Sequence, residues 1–194
     1  MKRSIIAAIG TAVLAFCLPT IGRSENLPPG QVDFGKFVPS TSGGEFVEVN
    51  LTSSLISLAS QLVEKEDAEI GRLLKSLQMV RVTAIGLDDD NRADLKKRAQ
   101  KIREEMESKG WERIVIAQKE DKNVGVYLKS RNKDTVEGIV VLAIEGDSKA
   151  VFINIVGDIK PEQISRLGEK LHIDPLKKIG QATGEKEKEK AEDN

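Results

Sequence analysis

The chain has 194 residues, 39% hydrophobic and 31% charged, with a single cysteine and a single histidine. Its 30 Lys+Arg against 31 Asp+Glu leave a net charge of −1, without the cationic surplus that holds a nucleic-acid backbone. One cysteine and one histidine also leave little for thiol chemistry or a zinc site.

The first 24 residues read as a cleavable signal peptide. Met1-Lys2-Arg3 is a short basic start, and Ile5 to Leu18 carries no charge. That run is too short for a membrane-spanning helix, which needs roughly 20 apolar residues. Pro19 breaks it. Gly22-Arg23-Ser24 places small residues where a signal peptidase reads, predicting a cut before Glu25, and Thr20-Ile21-Gly22 offers a second cut before Arg23. The expected location is therefore outside the cytoplasm, periplasmic or secreted. Cys17 follows Phe16, where lipid attachment wants a small residue, so a lipoprotein ranks below simple cleavage. Removing Lys2, Arg3 and Arg23 with the leader leaves 27 Lys+Arg against 31 Asp+Glu, a net of −4, and no cysteine. No membrane span is expected after cleavage.

Residues 25–44 hold Pro28-Pro29-Gly30 and Pro39-Ser40-Thr41-Ser42-Gly43-Gly44 and read as an extended, mobile linker. Phe34, Phe37 and Val38 are its candidates for tacking onto the domain. An α+β domain is expected over residues 45–179. It opens with a β-prone run, Phe46 to Leu51, and Thr52-Ser53-Ser54 suits a helix start. Leu55, Leu58, Ala59, Leu62 and Val63 fall on one helical face, which predicts the buried stripe of a first helix. After Glu64-Lys65-Glu66-Asp67, the spacing of Ile70, Leu73, Leu74 and Leu77 predicts a second helix. Met79 to Leu87 alternates as a strand.

Asp88-Asp89-Asp90-Asn91 leads into the longest helix, whose narrow apolar stripe is Leu95, Ala99, Ile102 and Met106. Gly110 should end it. Four strand-like runs follow closely, Trp111–Gln118, Val124–Lys129, Val136–Glu145 and Ala150–Gly157. The separators between them suit antiparallel hairpins, and the last two runs are the most apolar and should be central. Pro161 fits the first turn of a final helix, with Ile164, Leu167 and Leu171 facing inward. Residues 180–194 hold Glu185-Lys186-Glu187-Lys188-Glu189-Lys190 and nothing apolar larger than alanine, so a disordered charged tail is expected.

The order β-αα-β-α-β-β-β-β-α predicts an α+β two-layer sandwich: a mixed, mostly antiparallel sheet with helices packed on one face. Parallel neighbours are expected where strands flank helices near the start.

No residues present themselves for catalysis, cofactor binding or metal ligation. His172, at the end of the last helix, reads as a charge partner or surface residue. The Asp88–Asn91 cluster lacks the glycine and distal glutamate of a calcium loop, and Asp90 or Asn91 is expected to cap the next helix. Trp111, Tyr127 and Phe152 fall on strands, where packing is the default. Asn50-Leu51-Thr52 matches a glycosylation sequon, which matters only in a eukaryotic secretory path. No phosphate-binding loop, nucleophile elbow or dinucleotide fingerprint is present.

Three stretches carry a resemblance. They are Glu45-Phe46-Val47-Glu48-Val49-Asn50-Leu51 before a helix, the helix-Gly110-Trp111-Glu112 junction, and Val151-Phe152-Ile153-Asn154-Ile155-Val156-Gly157-Asp158-Ile159 before Pro161-Glu162-Gln163. Together they resemble the exported bacterial proteins grouped as domain of unknown function 4252, over about residues 45–173. The resemblance implies a bacterial source and an envelope or secreted location, and it brings no catalytic residues. The favoured reading is an exported, non-enzymatic module that binds a protein or envelope component. The alternative is an extracytoplasmic hydrolase that uses carboxylates alone, which would require two buried carboxylates in one pocket.

Overall fold

The computed structural model describes residues 27–39, 44–119, 122–170, 173 and 176. The expected leader with Cys17, His172 and the charged tail 180–194 lie outside the described residues. Ten elements follow in chain order: β1 (Phe46–Thr52), α1 (Ser53–Val63), α2 (Ala68–Ser76), β2 (Leu77–Gly86), α3 (Arg92–Ser108), β3 (Glu112–Lys119), β4 (Lys122–Asn132), β5 (Thr135–Glu145), β6 (Lys149–Ile159) and α4 (Pro161–Lys170). The class is α+β and the order is the one the sequence predicts. The strands form one six-stranded sheet, β1-β2-β6-β5-β4-β3, with β5 and β6 central as their apolarity requires.

Two details differ from expectation. Every neighbouring pair is antiparallel, so the sheet is not mixed. Two helices, not one, separate β1 from β2, and a helical hairpin returns the chain to the end it left, so β2 runs back alongside β1. β2 and β3, linked by the single helix α3, do run in the same direction. They are never adjacent, because β6, β5 and β4 lie between them.

The helices also occupy both faces. On β5, Ile139 and Val141 belong to one core with Leu73 of α2 and Ile164 and Leu167 of α4. Val140, Leu142 and Ile144 belong to a second core with Leu95, Ala99, Ile102 and Met106 of α3. The reason is in β5 itself: from Val136 to Ile144 it is buried on both sides, and such a strand needs cover above and below. The result is three layers. The four-residue stripe expected on α3 is the one it buries.

Local signals set the boundaries. Gly110 has φ +74°, and a Schellman pair closes α3: the Trp111 N–H donates to the Met106 carbonyl (3.0 Å) and the Gly110 N–H to that of Glu107 (3.2 Å). Met106 and Trp111 then share the α3-side core. α4 begins at Pro161, and the Gln163 side chain accepts from the Lys160 N–H, half of a capping box. The Asp67 carboxylate caps α2 by accepting from the Glu69 and Ile70 N–H groups. Leu77, expected at the end of that helix, is instead the first residue of β2 and is buried there.

Residues 30–37 are part of the folded body. Phe34 is buried, Phe37 packs beside it, and both rings contact Phe152, at centroid distances of 5.7 and 4.8 Å. Val38 stays in solvent. Asn154, fully buried in β6, clamps this strap: its Oδ1 accepts from the Val32 N–H and its Nδ2 donates to the carbonyls of Gly30 and Ile139. The backbones come so close that a Cβ on Gly30, at φ +83°, would lie 1.9 Å from the Glu137 carbonyl oxygen.

Candidate interaction surface

The acidic cluster builds a turn. Asp88 Oδ1 accepts from the N–H groups of Asp90 and Asn91, closing an Asx turn before α3. Asn91 reaches backward, accepting from the Asp88 N–H and donating to the Gly86 carbonyl. Asn91 is the N-cap residue by position, yet it makes no side-chain cap bond, and Asp90 supplies none either. The capping assigned to these two residues is therefore corrected: Asp88 organises the loop, because its carboxylate sits where the turn's free N–H groups converge. Thr52, before α1, likewise makes no side-chain cap bond. Trp111, Tyr127 and Phe152 are all buried in the α3-side core.

A carboxylate mechanism would need two buried acids sharing a cavity. Among the described residues Glu137 is the buried acid, at 8% exposure, and it pairs with Arg131 at 3.3 Å. Arg131 also holds Asp158, at 2.7 Å, and Asp158 is exposed. Neither acid lines the main grooves. A groove of about 740 Å³ runs between the strap and α3 and alternates charges, Asp33 and Lys36 facing Asp94, Lys97 and Arg98. Arg98 bridges its walls, donating to the Lys36 carbonyl and lying 4.9 Å over the Phe37 ring. A groove of about 410 Å³ near Lys96, Arg103 and Lys122 also holds Asp147 and is largely polar. Among the described residues no group of three potential metal ligands occurs, and no helix is long and apolar enough to cross a membrane.

The distinctive feature lies at the β1 edge. α1 buries Ile56 and Ser60, one turn apart, and not the leucine stripe that its sequence predicts. Ser60 satisfies its hydroxyl on the Ser57 carbonyl, so burying it costs little. Leu55, Leu58 and Leu62 are left 52, 57 and 67% exposed. α1 packs on α2, β1 and β2 on the α2/α4 side of the sheet. On that same side β1 presents Val47, Val49 and Leu51, each paired with a core-facing residue of β2 and each 37–42% exposed. Helix and strand thus carry six exposed aliphatic side chains on one side of one sheet edge. Scattered exposed leucines need no explanation, but an ordered helical stripe beside an open strand does. On the opposite side of β1, Phe46 packs against the α3-side core, Glu48 is held by Arg81 at 3.3 Å and Asn50 of the sequon is exposed.

The spacing of Leu55, Leu58 and Leu62 was visible in the sequence, but the direction it faces was not. The strap clamp on Asn154 had one sequence signal, an amide in the middle of the apolar run Val151–Val156.

No curated protein and no solved structure matches the chain. A family model does, the one described as Domain of unknown function (DUF4252), and its match over residues 42–167 takes in every strand, α1 to α3 and most of α4. The protein belongs to the family of domain of unknown function 4252.

Proposed function

We propose that the protein is an exported, non-enzymatic module that binds a protein or envelope component through the surface formed by β1 and α1. One observation carries this: α1 turns Leu55, Leu58 and Leu62 to solvent while its core side makes do with Ile56 and Ser60. Burying one exposed leucine fully is worth about 1.5–3 kcal/mol, so the stripe is a reservoir for association that the monomer leaves unused. The uncharged Ile5–Leu18 run and the small residues Gly22 and Ser24 support export, and mass spectrometry should find a mature N-terminus at Glu25.

The test is cross-linked capture from the native envelope, comparing wild type with Leu58→Asp and Leu62→Asp. These sites are exposed, so folding stability should change by no more than about 0.5 kcal/mol while capture is lost. Capture that is unchanged in both variants would refute the reading.

A further inference from the structure

We propose that the partner of this surface is a second copy of the chain, joined by antiparallel pairing of β1 with β1 about a twofold axis through Val49. The inference rests on reading the β1/α1 surface as an interface and names what fills it.

Among the described residues the β1 edge carries one charge, Glu48, and Arg81 of β2 holds it at 3.3 Å. β1 pairs with β2 in unbroken register from Phe46 to Thr52, without the proline, lysine or bulge that commonly blocks an edge strand. β3, at the other edge, is guarded: it carries Glu112 and Arg113 and shifts register between Arg113 and Val115. The Gly86 N–H donates to the Glu45 carbonyl at 2.7 Å. Bonding direction alternates along an antiparallel strand, so Val47, Val49 and Leu51 turn their backbone groups toward β2. Phe46, Glu48 and Asn50 turn theirs outward.

Those outward groups select the register. Centring the pair on Glu48 would set two carboxylates opposite each other, which is destabilising. Centring it on Val49 sets Glu48 opposite the partner's Asn50, uses the whole strand from Phe46 to Thr52, and lets the outward backbone groups bond in pairs. Val49 then meets the partner's Val49 as a close, non-hydrogen-bonded pair, with Val47 opposite the partner's Leu51 on the same side. That axis stands perpendicular to the sheet, so both α1 helices come to one side of the joined sheet and flank the seam with their leucines. The six exposed side chains offer on the order of 500 Å² per copy, so covering all of them would bury roughly 1,000 Å² in the pair before the backbone is counted, where specific interfaces begin.

The purified protein should sediment as a dimer at micromolar concentration. Val49→Lys, checked for native circular dichroism, should weaken the dimer roughly 100-fold by burying paired ammonium groups at the seam. In a Cys17→Ser background, Val49→Cys should form a disulfide-linked dimer on mild oxidation, because Cα atoms of such a pair lie about 4.5 Å apart. Leu51→Cys should not, since four residues of offset separate its copies by about 13 Å. The cysteine pair keeps the test decisive if the lysine variant fails to fold. A monomer at about 100 µM overturns the inference, as does a dimer that ignores Val49→Lys or cross-links equally through Leu51→Cys. If the protein is a monomer and capture still depends on Leu58, the interface reading stands with a foreign partner; if it does not, both fall.

Discussion

Asn154 is the side chain on which the strap depends, and its removal has a calculable cost. It is fully buried and makes three hydrogen bonds, at 2.9, 2.9 and 3.2 Å, two of them to the backbone of residues 30 and 32. At about 1 kcal/mol net for each bond, Asn154→Ala should cost about 3 kcal/mol, and more if the Val32 N–H finds no water. For a chain of this size about 1 kcal/mol moves the melting temperature by 2–4 °C, so a fall of about 6–12 °C is expected. The loss should be local first. Amide hydrogen exchange at residues 30–37 should accelerate before the β5 and β6 amides respond. Asn154→Asp should be worse than alanine, because its second oxygen would face the Gly30 and Ile139 carbonyls. A melting temperature within about 2 °C of wild type, with the strap still protected, would refute this account of how residues 30–37 are held.

Other substitutions probe the remaining claims. The Thr83 hydroxyl is buried and has no hydrogen-bond partner among the described residues, so Thr83→Val should raise thermal stability, by about 1 kcal/mol, in a melt. Gly110→Ala should cost about 1 kcal/mol in denaturant titration, because φ is +74° there while the nearest obstacle is only the flexible end of Lys129. Asp88→Ala should cost about 1 kcal/mol by opening the Asx turn, whereas Asp90→Ala should change stability by no more than about 0.5 kcal/mol; equal effects would show the turn assignment to be wrong.

The sequence announces its elements because local chemistry dictates them. Gly110 ends a helix wherever a left-handed residue is needed, Pro161 opens one, and the hairpins from β3 to β6 follow from short polar separators. It announces layers less well. The run Ile139–Ile144 contains no polar residue, which already says that both sides are covered, but an alternation-based reading assigns helices to one face. The strap was less visible still. Gly30 and Gly138 approach each other, and Asn154 reaches Val32, 122 positions away in sequence. Such contacts exist only once the sheet has assembled. Pro28-Pro29-Gly30 and the serine-rich stretch after Val38 carry a linker's composition, and the aromatic pair Phe34 and Phe37 between them is the sole local sign of docking.

The misread helix is the most instructive case. Leu55, Leu58, Ala59, Leu62 and Val63 make a stronger stripe than Ile56 and Ser60, and periodicity alone puts the stronger stripe inside. That inference assumes that the only apolar environment available is the chain's own core. α1 breaks the assumption in a specific place: it borders the strand edge that pairs without a bulge and whose single charge, Glu48, is held by Arg81. An open backbone edge and an outward leucine stripe are each costly in isolation, the first through aggregation and the second through solvation. Found on one side of one edge, they would answer the same requirement under the proposed pairing, in which the partner's strand meets β1 and the partner's body covers the stripe. Within the chain the leucine stripe is an exposed face; under the proposed pairing its cover would come from a second copy.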